Sequence, residues 1–259
     1  MFDFLKNRRR ASLRATPLAP EAWATIDRNV PYTRRLDART RRELEGLVQV
    51  FLAEKRFEGC GGLELTDEIR LTIAAQACIL LLHRETDVYP GLETILVYPH
   101  GYRVPRLPLE RVPGGVIDPD DGSGRPRAGQ MSWKQGLIVL AWDHVRTETH
   151  DVPRGRNLVM HEFAHQIDSE DGAMDGAPPL GTRKRYERWA EVLGAEYEEL
   201  SRRLQEGLET DIRDYGATNP MEFFAVVTEQ FFEDPQAMKR SHPRLYEELS
   251  AFYKQDPAG

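Results

Sequence analysis

The chain has 259 residues, long enough to bury a substantial core as one large domain or two small ones. An apolar share of 40% and a charged share of 30% are those of a globular chain and exclude a disordered or fibrous one. A formal net charge of -7 argues against a nucleic-acid-binding face, and two isolated cysteines, Cys60 and Cys78, are too few for a disulfide framework.

From the N-terminus, residues 1–20 form a basic arm ending in Pro17 and Pro20, which reads as a solvated tail rather than as a short docking segment or a contact with a membrane surface. Phe2, Phe4 and Leu5 precede Arg8–Arg10, the reverse of a signal peptide's charge order. No apolar run reaches the length of a membrane span, and the longest, near Ile79–Leu82, is broken by His83 and Arg84. The expectation is a cytoplasmic protein with no membrane span. From Asp37, Leu44, Leu47, Val48, Phe51 and Leu52 fall on one helical face, which Gly59–Gly62 should stop. Thr66-Asp-Glu-Ile69 then reads as a helix start. The stretch from Ile69 to His83 is apolar nearly all round and should be buried, with His83 a capping or core-edge group.

Between Pro90 and Trp142 the texture changes. Thr94–Tyr98 and Leu137–Trp142 are short, β-branched or aromatic-rich, and bounded by Gly, Pro or Asp, so they read as strands. Pro113–Gly129 reads as a loop or ribbon connection, and Trp133–Gly136 as the turn into the second strand. That strand offers a candidate edge for an extended peptide. His144 and His150 read as loop histidines in the connection that follows.

The next stretch, Asn157-Leu-Val-Met-His-Glu-Phe-Ala-His-Gln-Ile-Asp168, contains H-E-x-x-H. On a helix His161 and His165 lie one turn apart on one face and can share a metal, for which zinc with its preference for neutral imidazole is suited. Glu162 is then placed to take a proton from a water held by the metal. Val159, Phe163 and Ile167 form an apolar stripe, so the helix should be buried, where two partnerless histidines would be costly. Asp168 shares the histidine face and reads either as an acid orienting an imidazole or as a solvated helix end.

A catalytic zinc takes three protein ligands, and three residues compete to be the third. Asp171 stands where H-E-x-x-H-x-x-G-x-x-H/D has its last ligand, but Asp168 replaces the glycine that turns the chain. The later stretch Tyr215–Phe232 reads as a helix with Asn219 as N-cap and Pro220 at its first position. It carries Glu222, which could simply close a capping box, and Glu229, which could be a solvated mid-helix acid. Gly172-Ala-Met-Asp-Gly176 reads as a loop. Arg183–Leu204 and Ser241–Tyr253 are amphipathic scaffold helices, the first carrying Tyr186, Trp189, Val192, Leu193 and Leu200 on its apolar side and the second Leu245, Leu249 and Phe252.

His161-Glu-Phe-Ala-His165 together with Asn219-Pro-Met-Glu-Phe-Phe-Ala-Val226 resembles the Mlc titration factor A family of zinc metallopeptidases. The likeness runs from Trp133–Gly136 to about Phe232. The family's catalytic core is similar to the protease domain of anthrax lethal factor. Both use a glutamate on a second helix as third ligand, with a tyrosine seven residues before it. The resemblance therefore implies Glu222 as ligand beside His161 and His165, and Tyr215 as a hydrogen-bond donor to the oxyanion. It also implies one zinc per chain, a peptide substrate, aminopeptidase-type activity, and a transcriptional repressor of sugar-uptake genes as a further partner.

The expected fold is α+β: a helix-rich, zincin-like domain over residues 21–259 with a small mixed sheet. Its N-terminal part, about 37–90, is helical, and the catalytic part covers about 91–259. The rival is a regulator-sequestering protein with a structural zinc site, which would close the fourth coordination position.

Overall fold

The computed structural model describes residues 2–101, 129–132, 136–148 and 155–259. The expected loop over 113–128, the turn residues Trp133–Gln135 and His150 lie outside them. The described residues form a helix-rich α+β fold with ten helices and one four-stranded sheet. Among them no helix is long and apolar enough to cross a membrane.

The sheet is small and mixed. Its strands are β1 (Arg56–Gly59), β2 (Thr94–Tyr98), β3 (Gly129–Ser132) and β4 (Leu137–Ala141), in spatial order β1-β2-β4-β3. β1, β2 and β4 run parallel, and β3 pairs antiparallel with β4, Gly129 facing Leu140 and Ser132 facing Leu137. The strand expected to offer a free edge, β4, is thus an inner strand. Ile138, Leu140 and Ala141 are fully buried in it, as a run this apolar requires. The edges belong to the more polar β1 and β3. Trp142 leaves β4 to open a short helix, α5 (Trp142–Glu148), so His144 is helical instead of in a loop.

Helix α3 (Ala38–Glu54) starts at Asp37, whose side chain accepts from the Thr40 amide at 2.7 Å. It ends at Lys55 and not at Gly59–Gly62, because the chain becomes extended there and enters β1. The Lys55 ammonium is buried and donates to the carbonyls of Tyr89 (2.7 Å) and Leu92 (2.9 Å), fixing the loop before β2. Burial pushes its pKa down to about 8. Helix α4 (Asp67–Ile79) starts at Thr66 as expected and is buried nearly all round. His83 follows it in a left-handed conformation (φ 61), its backbone amide and ring both bonded to Glu43, at 2.7 and 3.0 Å.

The basic arm is not a solvated tail. Residues Phe2–Arg14 form helix α1, which lies against α3 and is followed by α2 (Pro20–Asn29) and a 3-10 helix (Pro31–Arg35). Arg10 grips Glu54 bidentately (2.7 and 2.6 Å) and also bonds Asp87, which Lys6 meets at 3.0 Å. Gly46 lets the two helices approach closely, since a Cβ there would stand 3.3 Å from the Cα of Arg14. Phe4 and Leu5 remain exposed.

Helix α6 (Leu158–Asp168) packs against α4, β3, β4 and α8 (Pro220–Glu233). Phe163, the centre of its apolar stripe, is fully buried with ring centroids 5.7 Å from Phe51 and 4.7 Å from Tyr89. Truncating it to Ala would cost about 3–5 kcal/mol. Helix α7 (Arg183–Gln205) buries Trp189, Val192, Leu193 and Leu200 as its spacing predicts. The helix expected at Ser241–Tyr253 is α10 (Pro243–Tyr253), and a further short helix, α9 (Pro235–Ser241), stands before it. Pro243 divides them, because it lacks the amide that would continue the hydrogen-bond ladder and keeps His242 out of the helical conformation. The pair still buries Leu245, Leu249 and Phe252.

Candidate metal centre

Two capped helices bring the donors together. Asn157 caps α6, its side chain accepting from the Met160 amide at 3.0 Å, which sets the phase that turns His161 and His165 to one side. Asn219 caps α8 in the same way, accepting from the Glu222 amide at 2.9 Å. The Glu222 side chain does not turn back toward the cap but faces the two imidazoles. Its Oε2 lies 3.1 Å from Nε2 of His161 and 3.4 Å from Nε2 of His165, and the two Nε2 atoms are 3.1 Å apart. All three residues are buried.

These separations suit a metal. Four ligands at about 2.0–2.1 Å from a tetrahedral ion stand about 3.3–3.4 Å from one another. Oε2 of Glu222 is buried close to both imidazoles yet aligned for a hydrogen bond with neither, as expected of an atom aimed at a common point. Two neutral nitrogens and one carboxylate oxygen make a donor set of the kind zinc accepts. Among the described residues His161, His165 and Glu222 are also the one group of three or more potential ligands close enough to share an ion.

The electrostatics follow from burial and proximity. Burial works against a charged His161, but Glu222 and Glu229 outweigh it and hold its pKa well above the ordinary imidazole range. Burial likewise raises Glu222, but the two imidazoles prevail and hold it well below the carboxylate range. The buried Glu162 has no such contact, and its carboxyl is pushed up to about 7. A positive charge at the meeting point of the donors is therefore favoured, whether carried by a proton or by a metal.

Glu229 is neither a rival ligand nor a solvated acid. It is 2% exposed, and its Oε1 lies 2.8 Å from Nδ1 of His161, on the ring edge away from the other donors. The same oxygen accepts from Arg213, and Oε2 accepts from the Asn157 amide at 2.6 Å. This is the carboxylate–histidine arrangement that fixes the tautomer of a ligating imidazole. Its position two turns after Glu222 is the only sequence signal of that role, and the spacing alone does not tell a ligand from a supporting acid. Asp168 is fully buried and accepts from the Gly176 amide at 2.9 Å, burial raising its carboxyl to about 7. It is thus not a solvated helix end, and it bonds no imidazole. Asp171 is exposed in a 3-10 helix (Ser169–Asp171) and accepts from the Ala173 amide, away from the donors. Tyr215, on the 3-10 helix Asp214–Ala217, places its ring 5.9 Å from that of His161, with the residue 40% exposed.

The loop Gly172–Gly176 has a structural task between α6 and α8. Gly176 (φ 81) donates its amide to Asp168, at the end of α6, and accepts from the Trp189 indole at 2.9 Å. A Cβ on it would collide with the Pro220 carbonyl at the start of α8.

A buried His/His/Glu group on two crossed helices beside a small mixed sheet, with a glutamate next to the first histidine, defines a metallopeptidase-like domain. The chain belongs to the glucose-regulated metallo-peptidase M90 family, whose sequence profile matches residues 4–254. An uncharacterised protein of Synechocystis is 42% identical to it over 241 residues, covering 93% of this chain and 86% of that protein. Mlc titration factor A of Serratia proteamaculans is 32% identical over 231 residues, covering 88% of this chain and 85% of its own. The Klebsiella pneumoniae protein of the same name is 30% identical over 230 residues, with 88% and 84% covered.

Proposed function

We propose that the chain is a zinc-dependent peptidase of aminopeptidase type, with His161, His165 and Glu222 holding one zinc ion. The observation that carries the reading is the convergence of three buried donor atoms at the edge lengths of a zinc tetrahedron. Bound there, zinc would supply a Lewis acid for the scissile carbonyl and for the attacking water. Glu162, on the same helix, accepts the proton of that water and passes it to the leaving amine. Tyr215 donates its hydroxyl hydrogen to the oxygen on which charge develops. His161 is held by Glu229 with its proton on Nδ1, so that Nε2 keeps its lone pair for the metal. The reading places the protein in the cytoplasm, supported by two free cysteines.

The test is metal content together with cleavage of a mixed peptide library, for the wild type and Glu162→Gln. The variant should retain zinc and lose hydrolysis, and peptides with a blocked amino terminus should resist the wild type. Equal cleavage by both proteins would remove Glu162 from the mechanism.

A second reading has its own support in the name Mlc titration factor A carried by two relatives. In it the chain binds a transcriptional repressor of sugar uptake, with or without hydrolysis. Co-purification of that repressor with Glu162→Gln as well as with the wild type would separate binding from catalysis.

A further inference from the structure

We infer that Arg213 is a positioning residue that, through Glu229, ties the segment carrying Tyr215 to the imidazole of His161. The inference rests on the metal-centre reading above and adds a residue which that reading does not use.

One buried carboxylate joins three parts of the chain. Oε2 of Glu229 holds the Asn157 amide at the start of α6, and Oε1 meets both Nδ1 of His161 and the guanidinium of Arg213. Arg213 lies two residues before Tyr215, in the connection from α7 to the 3-10 helix Asp214–Ala217. A second bond fastens the same connection to α8, the Gln230 side-chain amide donating to the Asp211 carbonyl at 3.2 Å. The segment that delivers Tyr215 is therefore anchored on the turn of α8 that orients His161, two turns beyond Glu222.

Charge makes the arginine more than a tether. An ionised carboxylate that is 2% exposed needs a compensating cation, and Arg213 forms the arginine salt bridge with Glu229. A metal on Nε2 would place its charge across the ring and share it with Glu222, whereas the guanidinium of Arg213 meets the Glu229 carboxylate directly. Arg213 also fixes the rotation of the carboxylate and so keeps Oε1 on Nδ1. Losing it would loosen two things together: the aim of His161 at the metal, and the 5.9 Å placement of the Tyr215 ring.

The test is a double-mutant cycle on the full chain, using Arg213→Gln, Glu229→Gln and the double variant, with Arg213→Lys as the conservative replacement. Zinc affinity of the metal-free protein is read by competition with a chromophoric chelator, and kcat and KM are read on a peptide substrate. Arg213→Gln should weaken zinc binding about 10–100-fold, the range for partners of ligating histidines, and lower kcat more than it raises KM. The double variant should bind zinc no worse than Glu229→Gln alone, and Arg213→Lys should recover most of the metal affinity and less of kcat. Should Arg213→Gln fail to fold with Glu229 left uncompensated, the double variant, which lacks both charges, still gives the comparison. Wild-type zinc affinity in Arg213→Gln, or additive losses in the double variant, would overturn the inference. Zinc affinity is read without hydrolysis, so an inactive wild type would remove the peptidase reading and leave the role of Arg213 to be decided by the metal titrations.

Discussion

Nδ1 of His161 stands 2.8 Å from Oε1 of Glu229, while Nε2 of the same ring stands 3.1 Å from Oε2 of Glu222. One imidazole thus separates two glutamates of the same helix and gives them different tasks. Glu222→Gln replaces an anionic donor with a weak neutral one and should abolish zinc retention through dialysis. Glu229→Gln leaves the three donors in place but removes the anionic support of the ring and the ion pair with Arg213, and should weaken binding about 10–100-fold. Asp171→Asn should leave zinc unchanged, because Asp171 is exposed and bonded to the Ala173 amide. Zinc loss confined to Asp171→Asn would move the third ligand to the 3-10 helix that follows α6.

Tyr215→Phe removes a hydroxyl from a residue that is 40% exposed, so stability should change by no more than about 0.5 kcal/mol. If the hydroxyl serves the developing oxyanion, kcat should fall about 10²–10³-fold with zinc affinity unchanged. Parallel titrations of zinc and of peptide turnover make the comparison, and an unaltered kcat would leave the ring as a wall of the site only.

Gly176→Ala should be among the most damaging single changes outside the donors. The position has φ 81, and its new Cβ would press on the Pro220 carbonyl, displacing the start of α8 and with it Glu222. The expected cost is about 2–4 kcal/mol, as for strain at a left-handed position combined with overpacking. Zinc affinity should fall as well. Thermal denaturation of the metal-free protein measures the first effect and chelator competition the second; a variant as stable and as tight as the wild type would show that α8 does not depend on this contact.

Helix α1 should be released by acid. Burial tends to raise the Asp87 carboxyl, but Lys6 and Arg10 outweigh it and hold it down to about 2, and Arg10 lowers Glu54 in the same way. A carboxylate whose pKa falls on folding stabilises the folded state above its unfolded value, near about 4, and that contribution is lost as the pH drops through the folded value. Hydrogen-exchange protection over residues 2–14, taken relative to the intrinsic rate at each pH, should therefore fall between about pH 4 and pH 2. Arg10→Ala should exchange fast already at neutral pH. Undiminished protection at pH 2 in the wild type would mean that apolar contacts alone hold the helix.

Much of the site is legible in the sequence because its chemistry is local. His161, Glu162 and His165 lie within one turn of each other, and the cap Asn219 announces where α8 starts. Glu222 is less plain, since its place behind Asn219 also suits a capping box, and its direction toward the two imidazoles is visible only in the folded chain. The features hidden from the sequence are non-local. The acid at Glu229 acquires its role from an imidazole on another helix, and Arg213 from a carboxylate on a third segment. Strands β1 and β3 are hard to see because edge strands need no apolar run: Arg56-Phe-Glu-Gly59 is held by pairing with β2 and carries a single large apolar side chain. Helix α1 resembles a tail because its basic residues look solvated until Glu54 and Asp87, far along the chain, are seen to meet them.

The two donor helices are also separated in time. Synthesis makes α6, with both histidines, before α7 and before the glutamate on α8. A nascent chain that has only His161 and His165 can hold a metal loosely, without its anionic third donor or the Arg213–Glu229 brace. With the proposed ligands, tight loading would wait until α8 docks, so competence would come with the closing of the tertiary structure and not with the making of the H-E-x-x-H helix.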